Sequence, residues 1–302
     1  MIQSLPVVAR RHVDVPSDPS SNPKLQALRL INRDYLSYSA ISTYQRCPLK
    51  FFFSYVAQLE PAFKSSSLIF GSAIHAAIEE HFVRLMEGRS APIVNDLLEV
   101  FDRTWNSEST IPIRFGKSET ADSLRDLAGR MLNAFADSEL SKLDGELLGV
   151  EETFRGPIAE DCPDLLGRID LLAQARYALR IIDFKTSRSA WNDANIQDAA
   201  TQQLLYSELT RPLAEALELP IEVNWVVLTK TKSPTVTRHE LKPDRKQTIR
   251  AKAMVRAVWH SIQGGHFYPN PSTANCLSCP YRTACNQWEG ESHVDVQIQR
   301  PV

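Results

Sequence analysis

Residues 181–187 read Ile181-Ile182-Asp183-Phe184-Lys185-Thr186-Ser187, or IIDFKTS. β-Branched and aromatic residues in this density predict a buried strand. A carboxylate and an ammonium stand two residues apart near its end, and residues two apart in a strand point to the same side. Asp183 and Lys185 therefore share one face, while Ile182 and Phe184 point to the other and pack. Upstream, Gly167-Arg168-Ile169-Asp170 (GRID) puts another acid in the preceding strand. A turn around Ala175–Tyr177 returns the chain as an antiparallel hairpin and brings Asp170 toward Asp183.

Working outward, LLGVEETF, LLGRIDLLAQ and YALRIIDFKT read as three short strands, and IEVNWVVLT and TVTRHEL as two more. Ahead of them the pattern is helical. Ser39 is read as an N-cap followed by a face of Ile41, Tyr44 and Leu49, and Pro48 as a bend or new helix start. Leu68–Met86 carries apolar residues at 74, 78, 82 and 85, a helical spacing. Further helices are expected over Val94–Trp105, Ala121–Leu140, Asp198–Leu217 and Asp244–Ile262, the last ended by Gly264 and Gly265. The order implies an α/β fold with a central mixed sheet flanked by helices. Its expected organisation is a flexible tail (1–34), a single domain (35–290) with a helical insertion at about 87–145, and a C-terminal tail (291–302).

Two facing carboxylates repel unless a cation lies between them. A hard divalent ion such as Mg²⁺ suits that place, since it takes oxygen ligands and keeps several waters. A neighbouring lysine can then orient or deprotonate a water, or steady developing negative charge. The plain alternative is an exposed strand face with an ordinary Asp–Lys pair, which stabilises by only about 0–1 kcal/mol. His75 in GSAIHAAIEE and the pair Gln202 and Tyr206, four apart on one helical face, say little singly. Their order says more: G-x-x-x-H, then G-x-x-D, then D-x-K, then Q-x-x-x-Y.

In that order the chain resembles the PD-(D/E)XK nuclease superfamily, in its RecB-like branch. That branch includes nuclease domains of bacterial recombination helicase–nucleases (AddB-type) and CRISPR-adaptation nucleases. The resemblance spans roughly residues 36–288 and implies a restriction-endonuclease-like core. It implies metal binding by His75, Asp170 and Asp183, assistance to the attacking water by Lys185, and positioning roles for Gln202 and Tyr206. The second acid is Asp183 where many relatives carry glutamate, and either supplies carboxylate oxygens. Glu151, in the strand before GRID, matches no firm motif and is assigned at most an outer-shell contact.

Of five cysteines, Cys276, Cys279 and Cys285 form C-x2-C-x5-C. Three thiolates leave a tetrahedral site one ligand short, and Cys47 is the candidate fourth. A three-cysteine zinc site and unrelated buried thiols are the alternatives. A subset of the RecB-like group has one cysteine before the core and C-x2-C-x5-C behind it. By that resemblance these four residues hold a structural [4Fe–4S] cluster, with Zn²⁺ the alternative, tying the N-terminal helix to the C-terminal loop. Cys162, in EDCPD, has no partner at a useful spacing and is read as a spectator.

The remaining properties bound the function. With 302 residues, a net charge of -2 and 43% hydrophobic content, the chain is an ordinary globular sequence. Backbone-phosphate contacts are expected among Arg46, Lys50, Arg168, Arg188, Lys230 and Lys232, and Phe51–Phe53 are read as core. No run is long enough to span a bilayer, no secretory signal is recognised, and no P-loop motif is present. The expectation is a cytoplasmic Mg²⁺- or Mn²⁺-dependent deoxyribonuclease, an exonuclease acting on single-stranded DNA or DNA ends. It would serve DNA repair or recombination, free-standing or with a separately encoded helicase, recombination or CRISPR partner. The rivals are a non-catalytic DNA-binding scaffold partnered with a helicase, and an Fe–S or zinc-stapled interaction protein.

Overall fold

The structure, a computed structural model, describes residues 8–11, 22–142, 145–290 and 296–298. It begins with β1 (Val8–Arg11), α1 (Pro23–Ile31), β2 (Tyr35–Ser37), α2 (Tyr38–Arg46) and α3 (Pro48–Phe51). A π-helical turn (Phe52–Val56) extends α3, and β3 (Lys64–Ser65), α4 (Ser66–Met86), α5 (Val94–Glu108), β4 (Ile113–Arg114) and α6 (Ala121–Ala136) follow. Then come β5 (Glu146–Gly156), β6 (Asp164–Ala175), β7 (Ala178–Ser187), α7 (Asp193–Ala216), β8 (Ile221–Thr229) and β9 (Val236–Leu241). The chain closes with α8 (Arg245–Gln263), α9 (Thr273–Cys276), α10 (Arg282–Asn286) and β10 (Val296–Ile298). It divides into two compact units, one drawn from 1–62, 155–166 and 252–302, the other from 63–154 and 167–251.

The second unit carries most of a mixed sheet. β7 runs antiparallel to β6, with Leu171 opposite Ile182 and Ala175 opposite Ala178. On its other side β7 runs parallel to β8, with Asp183 opposite Trp225 and Lys185 opposite Val227. β9 pairs antiparallel with β8, and β5 pairs with β6. A parallel pair needs a crossover, and α7 supplies it between β7 and β8. That helix starts at Asp193 rather than at the expected Asp198. Asn192 and Asn195 form a reciprocal capping box there, with hydrogen bonds of 3.1 and 3.0 Å.

α4 buries a stripe of Ile69, Phe70, Ala73, Ile74, Ala77, Ile78 and Phe82, the pattern of a core-facing helix. The stripe joins α5 and α6 through Phe101, Met131 and Phe135, and meets the sheet at Ile182 and Phe184. The Phe184 ring centroid lies 5.7 Å from that of Phe82 and 6.1 Å from that of Phe135. Each such side chain contributes about 1.5–3 kcal/mol on burial. This packing holds the apolar face of β7 inward and so aims Asp183 and Lys185 the other way.

The first unit packs Tyr44, Phe51 and Phe267 together, with Tyr44 and Phe51 edge to face at 5.4 Å. Leu49 N–H donates to Tyr268 O at 2.9 Å, and Asn275 Nδ2 donates to Arg46 O at 2.9 Å. Backbone and amide bonds thus tie the segment around Cys47 to the loop leading into α9. Within this unit the first three residues of β6 pair in parallel with β2.

Two expectations are corrected here. The tail expected through residue 34 contains α1, which Asn22 caps and Pro23 opens and which buries Gln26, Ala27, Leu30 and Ile31. α2 is capped by Ser37, whose Oγ accepts from Ala40 N–H at 3.3 Å, rather than by Ser39. Ser37 has the extended backbone that an N-cap needs. The outer parts of both expected tails lie outside the described residues.

Candidate active site

Four segments of the second unit bring the chemistry together: α4, β5, the β6–β7 hairpin and α7. On α4, the stripe that buries Ile74 and Ile78 leaves His75 half-buried at its edge. Its Nδ1 lies 3.4 Å from Asp170 Oδ2. The same Oδ2 accepts the Phe184 backbone N–H at 2.7 Å. The hairpin thus brings the two expected acids into electrostatic contact, as the turn at Arg176–Tyr177 requires.

Asp183 is 4% exposed. Lys185 Nζ lies 3.0 Å from its Oδ1, where it donates a hydrogen bond, and 2.7 Å from its Oδ2. Oδ2 is buried, and the Lys185 ammonium meets it as an ion pair rather than through an aligned hydrogen bond. Burial opposes the Lys185 ammonium, yet the Asp183 carboxylate outweighs it and holds the lysine pKa above its ordinary range. Lys185 is therefore a fixed positive charge at neutral pH rather than a proton acceptor.

Glu151, on β5, is where the arrangement departs most from the sequence reading. Ligand atoms of His75, Glu151 and Asp170 lie within 4.8 Å of one another, the one such group of three or more His, Cys, Asp or Glu among the described residues. Asp183 is not in that group; its carboxylate is ion-paired with Lys185. Glu151 has a left-handed backbone (φ 54°) inside a strand, a conformation that non-glycine residues adopt at a cost of about 1–3 kcal/mol. Burial, followed by the Asp170 charge, pushes its pKa up to about 7, with the ion-paired Arg168 pulling the other way. Burial and then the Asp183 charge push Asp170 up to about 6. The site holds more negative charge than its own cations neutralise. The local signal for Glu151 was its place on a strand beside GRID; its backbone twist and its neighbours are not readable from spacing.

Gln202 and Tyr206 project from one face of α7, where the Gln202 side chain hydrogen-bonds to Tyr206. Burial raises the pKa of Tyr206, and Asp183, Lys185 and Asp170 all act on it electrostatically. The glycine of GRID makes this approach possible. A Cβ on Gly167 would lie 2.7 Å from a Tyr206 ring carbon and 2.9 Å from Leu209. The glycine of G-x-x-x-H has no comparable role, since a Cβ on Gly71 would meet only Thr186 Oγ1, at 3.9 Å.

Cys47, Cys276, Cys279 and Cys285 all belong to the first unit. Burial, then the neighbouring Cys47, Cys279 and Cys276, raise the pKa of Cys285. All four are free and partly exposed. Cys162 is buried, and burial pushes its thiol up to about 11. Of the expected phosphate contacts, Arg46, Arg168, Arg188 and Lys232 are exposed and Lys50 and Lys230 half-buried. Arg168 is ion-paired with Glu151.

A mixed sheet flanked by helices, with acids and a lysine on one hairpin, is the restriction-endonuclease-like core of a nuclease. Residues 35–286 match the PD-(D/E)XK nuclease superfamily, and the chain belongs to that superfamily. Among curated proteins, none matches the chain. A solved structure of a candidate exonuclease from Eubacterium rectale aligns over 95% of both chains, with a TM-score of 0.54 and 13% identity, a likeness of fold. The solved structure of SSO0001 aligns over 82% of this chain and 94% of its own, with a TM-score of 0.34 and 13% identity. No helix among the described residues is long and apolar enough to cross a membrane.

Proposed function

We propose that the chain is a divalent-metal-dependent deoxyribonuclease that hydrolyses phosphodiester bonds, acting as an exonuclease on DNA ends or single strands. The observation that carries the proposal is the pair of buried Asp183 and half-buried Lys185, with Asp183 in electrostatic contact with Asp170 of the His75–Glu151–Asp170 group. Superfamily membership supports both the hydrolysis and the need for a metal. The candidate exonuclease among the similar folds supports the narrower reading.

The residues fit a hard cation. The Glu151 and Asp170 carboxylates suit Mg²⁺ or Mn²⁺. The raised pKa values of Glu151 and Asp170 mark negative charge awaiting a counter-ion. His75, Glu151 and Asp170 would hold the ion with Asp183 alongside. A bound ion there supplies Lewis-acid charge at the scissile phosphate.

The chain's own groups do the rest. Phe184 N–H fixes the Asp170 carboxylate, and Asp183 keeps Lys185 protonated. The Lys185 ammonium orients the attacking water and offsets the charge that develops on the phosphoryl oxygens. Tyr206, steadied by Gln202, closes the lysine side of the site.

We also propose that Cys47, Cys276, Cys279 and Cys285 hold a structural [4Fe–4S] cluster. The sulfurs of Cys47, Cys279 and Cys276 all act electrostatically on Cys285. Soft thiolates suit an iron–sulfur cluster, with zinc the alternative. In the cell the enzyme would act in cytoplasmic DNA repair or recombination, with a separately encoded helicase or CRISPR partner supplying unwound strands.

The test is digestion of end-labelled single- and double-stranded DNA with Mg²⁺ or Mn²⁺, wild type beside Asp183→Ala. Release of nucleotides from an end is expected, and its loss in the variant. Metal-dependent cutting that survives Asp183→Ala overturns the assigned centre.

A further inference from the structure

Beyond the acids, β7 and β8 end together in the second unit. Ser187 lies opposite Thr229, and Lys230 N–H donates to Ser187 O at 2.6 Å. Arg188 and Lys230 therefore leave the carboxyl ends of adjacent parallel strands. Ser187 stands four residues beyond Asp183, about 13 Å at ~3.3 Å per residue. The Lys230 ammonium lies 5.0 Å from the Phe70 ring centroid. Burial lowers its pKa, with Glu119 opposing and Arg188 reinforcing that shift.

An internal carboxylate faces this pair of cations. Glu119 accepts the Ser66 hydroxyl at 2.7 Å and the Gly116 N–H at 2.9 Å. Ser66 is 2% exposed and is the first residue of the 21-residue helix α4, whose N-terminus favours anions. Arg188 and Lys230 act on the same carboxylate. Glu119 belongs to a loop in which residues 114–118 are exposed and Ser118 has φ 65°. A buried hydroxyl, two cations and a helix start thus converge on an acid delivered by a surface loop, and none of these groups serves the hydrolysis.

We propose that this is a subsite for a non-scissile phosphodiester of the bound strand, with Glu119 as the phosphate's displaceable stand-in. The assignment rests on the nuclease reading above. A phosphodiester carries a full charge on two free oxygens. It can take the Ser66 hydroxyl together with the Arg188 and Lys230 charges, whereas Glu119 reaches only the first directly. A strand long enough to put a phosphate here swings Glu119 out, and a mononucleotide held at the acids does not. The subsite therefore favours strands over free nucleotides.

The test is anisotropy of a labelled single-stranded oligonucleotide in EDTA, where nothing is cut. Glu119→Gln is expected to bind about 3- to 10-fold tighter. Arg188→Ala with Lys230→Ala is expected to weaken binding and to reduce the salt slope by about 0.7 per cation removed. In the triple variant the Glu119→Gln gain disappears. Unchanged affinity in Glu119→Gln, or a gain that persists without the cations, overturns the subsite. Should Glu119→Gln fail to melt cooperatively, the Arg188→Ala/Lys230→Ala variant decides alone, and an unchanged affinity and slope overturn it. If inorganic phosphate raises the melting temperature while these variants leave oligonucleotide binding untouched, the site takes free anions and the strand assignment is overturned. Because binding is read without metal, these outcomes are independent of whether Asp183→Ala abolishes cleavage.

Discussion

The carboxylate of Asp170 accepts the backbone N–H of Phe184, the residue between Asp183 and Lys185, at 2.7 Å. The β6–β7 backbone pairs run from Ala175–Ala178 to Leu171–Ile182, and beyond them a side chain takes over the ladder's role. One acid is thereby fixed by the very peptide that positions the other acid and the lysine. Asp170→Asn keeps an acceptor for Phe184 and is expected to stay within about 1 kcal/mol of wild type. Asp170→Ala leaves a buried N–H unpaired and is expected to cost about 1–3 kcal/mol. Urea denaturation of the two variants separates these outcomes. Equal losses would show that the hydrogen bond does not order the site.

Glu151 shares the ligand group with His75 and Asp170. Glu151→Gln keeps its shape and removes its charge, so Mn²⁺ affinity read by calorimetry should fall by at least 10- to 100-fold, the range seen even for outer-shell changes. An unchanged affinity would return Glu151 to an outer role.

The raised carboxyls fix the pH dependence of the metal-free protein. Asp170 is pushed up to about 6 and Glu151 to about 7, above their unfolded values near 4. The unfolded chain therefore loses these protons first, and metal-free stability should fall as pH rises from about 4 through about 7. Metal binding needs the deprotonated groups, so the stabilisation given by Mn²⁺ should grow over the same window. Thermal melts across pH with EDTA and with Mn²⁺ read both slopes. A metal-free stability that rises through this window would contradict the assignment.

Gly167 and Gly71 make opposite predictions. Gly167→Ala forces a Cβ against Tyr206 and Leu209 and is expected to cost about 1–3 kcal/mol and to displace Tyr206. Gly71→Ala meets only ordinary contact and should gain about 0.5–1 kcal/mol through helix propensity. Melting temperatures decide each one separately.

The four cysteines give an optical prediction. The purified protein should contain iron and sulfide and show broad visible absorbance that Cys285→Ser removes. Zinc with no iron and no colour would replace the cluster by a single-ion staple.

Much of this was legible before any coordinates. Strand periodicity gave the two faces of IIDFKTS, and the turn at Arg176–Tyr177 gave the hairpin that aligns Asp170 with Asp183. The spacing of Gln202 and Tyr206 gave their shared helical face. Such features are local, because period, turn chemistry and hairpin closure act over a few residues. α1 and the early start of α7 were missed although their caps, Asn22 and the Asn192–Asn195 box, stand in the sequence.

What the sequence alone determined, then, is the order of elements and the residues that a short strand or helix turn must place side by side. Tertiary structure alone decided that Glu151 joins His75 and Asp170, that Asp183 is buried beside Lys185, and that Glu119 faces Arg188 and Lys230. The relations of Glu151 and of Glu119 join segments distant in the chain, whereas Asp183 and Lys185 lie two apart on one strand and owe to the tertiary structure only their burial. The distant relations depend on how α4 packs against β7 and on a left-handed residue within β5, and no periodicity encodes either one. Charge and burial acquire their energies only when distant segments close on one another.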